Sequence, residues 1–188
     1  MSLARGREFL SIPGPTNVPE AVLAAMHRPA VDIYAKDLLE VTGTLLADLK
    51  RVFRSETAST YIYISNGHGG WEGALTNVLS RGDKVLVLAS GRFAMGWGEA
   101  CGIHGVEVEV LPKSWRQAVD PEEVRARLAA DTGHAIKAVL MVQVDTASGV
   151  VNDVPAVRAA IDAAGHPALL MVDGIASIGC IPFEMEAW

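Results

Sequence analysis

Along this chain, short aliphatic runs alternate with stretches whose apolar residues recur every three or four positions. The runs are 60–64 (TYIYI), 84–89 (KVLVLA), 106–111 (VEVEVL), 136–144 (IKAVLMVQV) and 168–173 (ALLMVD). Each is rich in β-branched or aliphatic residues and short enough for a strand. The most continuous of them predict strands covered on both faces. Before the first run, Leu38, Leu39, Val41, Leu45, Leu46, Leu49, Val52 and Phe53 keep helical spacing and predict one long helix. Asp120-Pro121-Glu122-Glu123 reads as a helix cap, a proline at the first helical position and an acidic first turn. Asp153-Val154-Pro155 opens another helix, which Gly165 is placed to end. This alternation predicts an α/β fold, a mainly parallel sheet with helices on both faces. The beginning differs. The prolines of IPGPTNVPEAVLAAM exclude a central strand and predict an extended arm leading into a short helix. The expected division is therefore an arm and short helix over residues 1–30 and the sheet-bearing domain over 31–188.

Composition narrows the classes. The chain has 188 residues, half of them apolar and a fifth charged, enough for one generous domain or a large piece of a bigger one. Its net charge of −6 is spread along the chain, with no basic patch or stripe, so no nucleic-acid partner is expected. No apolar run approaches the roughly 20 residues that span a bilayer, so no membrane partner is expected either. The opening MSLARGREFL lacks an uninterrupted apolar core, and no secretory signal is expected there. Two cysteines far apart, Cys101 and Cys180, fit a reducing cytoplasm. None of the five histidines has zinc-ligand spacing with further ligands nearby, so no metal is expected.

Ligands of open parallel sheets bind at the carboxyl ends of the strands. That rule selects Asn66–Gly70, Ser90–Phe93, Asp145–Gly149 and Asp173–Ser177. At Asn66-Gly67-His68-Gly69-Gly70 a β-prone run gives way to helical spacing. Helix N-termini attract anions, and glycines let a phosphate approach closely. A glycine-rich turn capped by His68 satisfies the same residues, and this segment alone leaves both readings open. It is not a dinucleotide fingerprint, because Glu72 stands at the third glycine position, nor a phosphate loop of the Gly-Lys-Ser/Thr kind. At the other end, Asp173 closes an aliphatic run, where a carboxylate must be solvated, paired or functional. An anion site at Gly67–His68 and a carboxylate facing a protonated nitrogen at Asp173 suit pyridoxal phosphate. Phe93 offers a flat face for its ring. Thr146 offers a hydroxyl, and His68 a second ring.

These residues carry a resemblance. PGPTNVPEAVLAAM, SNGHGGWEGALTNVLSRGDKVLV, DTASGV and AIDAAGHPALLMVDGIASIGCIPF together resemble class V, fold-type I pyridoxal-phosphate aminotransferases, nearest the serine–glyoxylate and alanine–glyoxylate group. The resemblance implies that Asn66, Gly67 and His68 border the cofactor and that Phe93 stacks on its ring. It implies that Thr146 lies by the ring oxygen, that Asp173 pairs with the pyridine nitrogen as the catalytic carboxylate, and that Ile175 covers the other ring face. Gly14, Thr16 and Asn17 match the arm beside the substrate carboxylate. Residues 31–188 become part of a cofactor-binding large domain, and the expected assembly is a homodimer. Where serine–glyoxylate enzymes tend to have Ser-Gly-Thr-Gly-Ile-Trp-Glu, this chain has Ser-Asn-Gly-His-Gly-Gly-Trp-Glu, nearer the alanine–glyoxylate form. The donor stays open among serine, alanine, ureidoglycine and others, with glyoxylate or a related 2-oxo acid as acceptor. The family's Schiff-base lysine has no counterpart among Lys36, Lys50, Lys84, Lys113 and Lys137. The alternative is accordingly an inert fragment or a non-catalytic module that binds a cofactor or partner.

Overall fold

In the computed structural model, residues 9–188 are described. The start of the expected arm, and most of the stretch where no secretory signal is expected, lie outside the described residues. The chain divides into two compact units, one through Leu45 and one from Leu46 onward. The first carries α1 (Glu20–Met26) and the beginning of α2 (Lys36–Val52). Ahead of α1, the Asn17 side chain closes a loop on Leu10. Its Oδ1 accepts from the Leu10 N–H at 3.1 Å, and its Nδ2 donates to the Leu10 carbonyl at 2.7 Å.

In the second unit the chain runs α3 (Gly67–Val78), β1 (Lys84–Ala89), α4 (Arg92–Ile103), β2 (Glu107–Pro112), α5 (Pro121–Ala130), β3 (Ile136–Val142), α6 (Val154–Ala163) and β4 (Leu169–Asp173). Among the described residues the four strands form one sheet in the order β2-β1-β3-β4, every pair parallel. Side chains on adjacent positions of a strand face opposite ways, so each central strand feeds two cores. Leu86, Leu88, Val139 and Met141 pack with Val124 and Leu128 of α5 and Val157 and Ile161 of α6. Val85, Val87, Ala138 and Leu140 pack with Trp71 and Leu75 of α3 and Ala94, Trp97 and Cys101 of α4. Helices thus cover both faces, as the aliphatic runs predict. Asp120 and Asp153 cap their helices, accepting from the Glu122 and Ala156 amides. Gly165 takes a φ of 62° just beyond α6. Among the described residues no helix is long and apolar enough to cross a membrane.

The run at 60–64 is not a strand. Tyr61, Ile62, Tyr63 and Ile64 are exposed, Ile64 completely. They join no ladder among the described residues, and the sheet ends at β2 and β4. β-propensity records packing on strand neighbours, and a run without neighbours gains nothing from it. The fourth predicted strand, 136–144, also stops early. β3 ends at Val142, and Val144 instead makes an isolated antiparallel bridge with Val151.

Entry into β3 depends on one carboxylate. Asp131 accepts from the Ile136 N–H at 2.8 Å and lies 3.2 Å from His166 Nε2. The Ala168 N–H donates to His166 Nδ1, so the imidazole carries its proton on Nε2 and donates to Asp131. Chiefly through the Ile136 amide, the Asp131 carboxyl is held below its ordinary 3.8. A depressed folded value means the stabilisation is present above 3.8 and is lost as pH falls through the lower folded value. The protection factor of the Ile136 amide should hold from pH 7 down to about 4 and decline only below that. Loss of protection between pH 7 and 5 would contradict this assignment.

Candidate cofactor site

The site begins with the strand order. From β1 the chain goes outward to β2 and then crosses back to β3 on the other side of β1. Connections leaving the carboxyl ends of β1 and β3 therefore diverge, and a crevice opens between them. Buried polar groups hold that rim. Asn152 donates to Ser90 Oγ at 2.9 Å and to the Val142 carbonyl at 2.7 Å, while its own oxygen accepts from the Val119 N–H. Ser177 Oγ donates to Gln143 Oε1 at 2.7 Å, and the Gln143 N–H donates to the Asp173 carbonyl. The ends of β1, β3 and β4 are thereby fixed relative to one another.

Asp145, after β3, is fully buried and completes the rim. Its carboxylate accepts from the N–H groups of Phe93 at 2.9 Å, Ala94 at 3.0 Å and Ala147 at 3.0 Å. Two of these donors belong to the first turn of α4, whose N-cap is Gly91, a residue without a capping side chain. The carboxylate supplies the cap from the loop after β3. Gly91 is required for this approach, since a Cβ there would meet the Asp145 carboxylate at 2.2 to 2.5 Å. Asp145 in this way sets Phe93 at the end of β1, with Thr146 following it in the chain.

At α3 the N-cap is Asn66, not His68. The Asn66 side chain accepts from the Gly69 N–H at 3.3 Å, and its carbonyl accepts from the Gly70 N–H. The Gly67 and His68 amides have no acceptor among the described residues. His68 turns its ring onto Trp71, with centroids 4.7 Å apart, and stands 6.5 Å from the Phe93 ring. A Cβ built on Gly67 would lie 3.9 Å from Ile175, in ordinary contact. Asp173 ends β4. Its Oδ2 accepts from the Trp71 Nε1–H at 2.9 Å and its Oδ1 from the Ile175 N–H at 2.8 Å.

The structure therefore gathers Asn66, Gly67, His68, Phe93, Asp173 and Ile175, with Thr146 beside Asp145 at the same strand ends. Gly14, Thr16 and Asn17 belong to the other unit, in the loop that Asn17 closes. Sequence reasoning missed Trp71 and Asp145. Trp71 lay inside a quoted motif and Asp145 inside a selected strand-end segment, but neither was given a role. No lysine stands in the set. Lys84 pairs with Glu107 and Lys113 with Glu123, Lys137 donates to the His134 carbonyl, Lys50 to that of Glu56, and Lys36 pairs with Glu40.

The sequence pattern of the family described as aminotransferase class-V matches residues 9–188. A serine–glyoxylate aminotransferase of Methylorubrum extorquens is 44% identical over 183 residues, which cover 97% of this chain and 46% of that protein. An L-aspartate–glyoxylate aminotransferase of Paracoccus denitrificans is 42% identical over 177 residues, 94% of this chain and 45% of the relative. The crystal structure of a ureidoglycine–glyoxylate aminotransferase from Bacillus subtilis superposes with a TM-score of 0.86 at 26% identity, over 97% of this chain and 47% of the other. The chain spans about half the length of the curated relatives it matches.

Proposed function

Because this chain belongs to the aminotransferase class-V family, we propose that the complete protein transfers an amino group from a small amino acid to glyoxylate or a related 2-oxo acid, using pyridoxal phosphate. The observation that carries the reading is Asp173. Its carboxylate ends β4 with one N–H donor on each oxygen, and a carboxylate oxygen has room for a further donor. The residues present fit pyridoxal phosphate by their donor chemistry. Two free amides at the start of α3 suit a phosphate. Phe93 and Ile175 suit the two faces of a flat ring, Thr146 its oxygen, and Asp173 a protonated ring nitrogen. Bound pyridoxal phosphate supplies an electron sink for the substrate's α-carbon. Around it, Asp173 holds a proton on the ring nitrogen, His68 and Phe93 keep water from the ring, and the α3 amides fix the phosphate. Gly14, Thr16 and Asn17 are proposed to border the substrate carboxylate. The five lysines of this chain are engaged elsewhere, so the reading assigns the cofactor-linking lysine to the complete protein, outside this half. We propose a cytoplasmic homodimer as its working form, supported by the cysteine usage and the family.

The test is the complete protein, loaded with pyridoxal phosphate and given glyoxylate with serine, alanine, aspartate or ureidoglycine in turn. Glycine should form with at least one donor, and this chain by itself should form none. Absence of glycine with every donor would favour the second reading, a non-catalytic module.

A further inference from the structure

Trp71 is 6% exposed, so its indole N–H is withdrawn from water and is costly to leave unmatched. It is matched by Asp173, 102 positions away in the chain. The ring is held on several sides. Trp97 stacks on it with centroids 5.7 Å apart and planes within 9°, His68 meets it at 4.7 Å, and Phe93 stands edge-on at 6.5 Å. The neighbouring indole makes a useful contrast. Trp97 is equally buried in the same stack, yet its Nε1–H has no partner. Packing therefore places both indoles, but only one of them is aimed at a carboxylate.

The torsion that turns an aspartate carboxylate about its Cβ–Cγ bond is soft. Donors on both oxygens remove that freedom, and here one donor is the Ile175 backbone and the other the Trp71 side chain. The plane left for a third donor is then set by the protein rather than by the ligand, which is the preorganisation that makes an electrostatic contact effective. We propose that Trp71 is a positioning residue for Asp173: its indole N–H fixes the plane in which the carboxylate meets the cofactor's ring nitrogen, and its ring couples that plane to His68 and Phe93. This rests on the functional reading above.

The test compares Trp71→Phe, which keeps an aromatic ring and removes the N–H, with Trp97→Phe, which removes an N–H that has no partner. The probe is pyridoxal phosphate labelled with nitrogen-15 in its ring, added to the complete protein. Affinity is read by equilibrium dialysis and ring protonation by the nitrogen-15 shift. Trp71→Phe should weaken binding about tenfold, as expected for one hydrogen bond to a carboxylate. It should also move the ring nitrogen toward its unprotonated shift, while Trp97→Phe leaves the shift in place. The Trp71 indole cross-peak of the ligand-free protein should move in Asp173→Asn, which tests the bond even if Trp71→Phe fails to fold. An unmoved cross-peak overturns the inference. So does a Trp71→Phe protein that binds as the wild type does, or a Trp97→Phe protein that loses ring protonation to the same extent. In these cases, sensitivity of binding to Asp173→Asn leaves the functional reading intact. A complete wild-type protein that binds no pyridoxal phosphate, or binds it indifferently to Asp173→Asn, overturns both.

Discussion

Replacing Asp145 with alanine should destabilise this chain by about 3 kcal/mol, which for its size lowers Tm by roughly 10 °C. The estimate follows from what the carboxylate does. It is fully buried and accepts three backbone N–H groups, two of them in the first turn of α4. Removing it orphans those donors, at about 1–3 kcal/mol for a buried group that finds no substitute. It also uncaps a helix, typically about 1 kcal/mol. Water entering the space left behind recovers part of the loss. Asp145→Asn should cost less, because one oxygen remains while the amide N–H₂ faces donors. Urea titration followed by far-ultraviolet circular dichroism checks it, with the midpoint falling and the slope unchanged. An Asp145→Ala chain within about 0.5 kcal/mol of wild type, the range of neutral surface changes, would mean that the carboxylate is not the clamp.

Asp173→Asn in the complete, cofactor-loaded protein should reduce turnover by about 10²–10³-fold, the usual loss when one preorganised electrostatic partner is removed. The KM for glyoxylate should change little, since the acceptor does not touch this side chain in the proposed reading. Asparagine matches the shape of aspartate but not its acceptors. Of its two terminal groups one is N–H₂, which must face either the Trp71 indole N–H or the Ile175 amide, a donor against a donor. The substitution therefore disturbs the orientation of the group as well as its charge. Steady-state kinetics with one amino donor and varied glyoxylate separates the two parameters. An Asn variant with full turnover would remove Asp173 from the chemistry.

The sheet was legible because its strands need little from elsewhere. β1, β3 and β4 are aliphatic runs whose composition alone predicts burial on both faces, and Asp120 and Asp153 cap the helices that follow β2 and β3. The segment at 60–64 was misread for the opposite reason. TYIYI has the composition of a strand, but a strand also needs a neighbour, and none pairs with it among the described residues. The site was legible to the extent that its residues end strands or begin helices. Asp173 and Gly67 were found by that rule. The Trp71–Asp173 and Asp145–Phe93 bonds join residues 102 and 52 positions apart, and no local pattern encodes either. Likewise Asn66, rather than His68, caps α3. An asparagine side chain can reach back to the amide three residues on, while the imidazole finds a better neighbour in the Trp71 ring.

The two borders of the sheet are chemically unlike. On β2, Glu107 and Glu109 interrupt the valines, and Lys84 and Arg127 pair with them, so this border carries fixed charges that discourage a further strand. On β4 the sequence Leu-Leu-Met-Val carries no charge until Asp173, and Leu169 is half exposed. The sheet consequently has a direction of growth. A strand adding to it, from whatever source, meets a guarded border at β2 and an open row of amides and carbonyls at β4. Two copies joined by a two-fold axis at that border would run antiparallel across the seam, reversing the sense of every other pairing in the sheet.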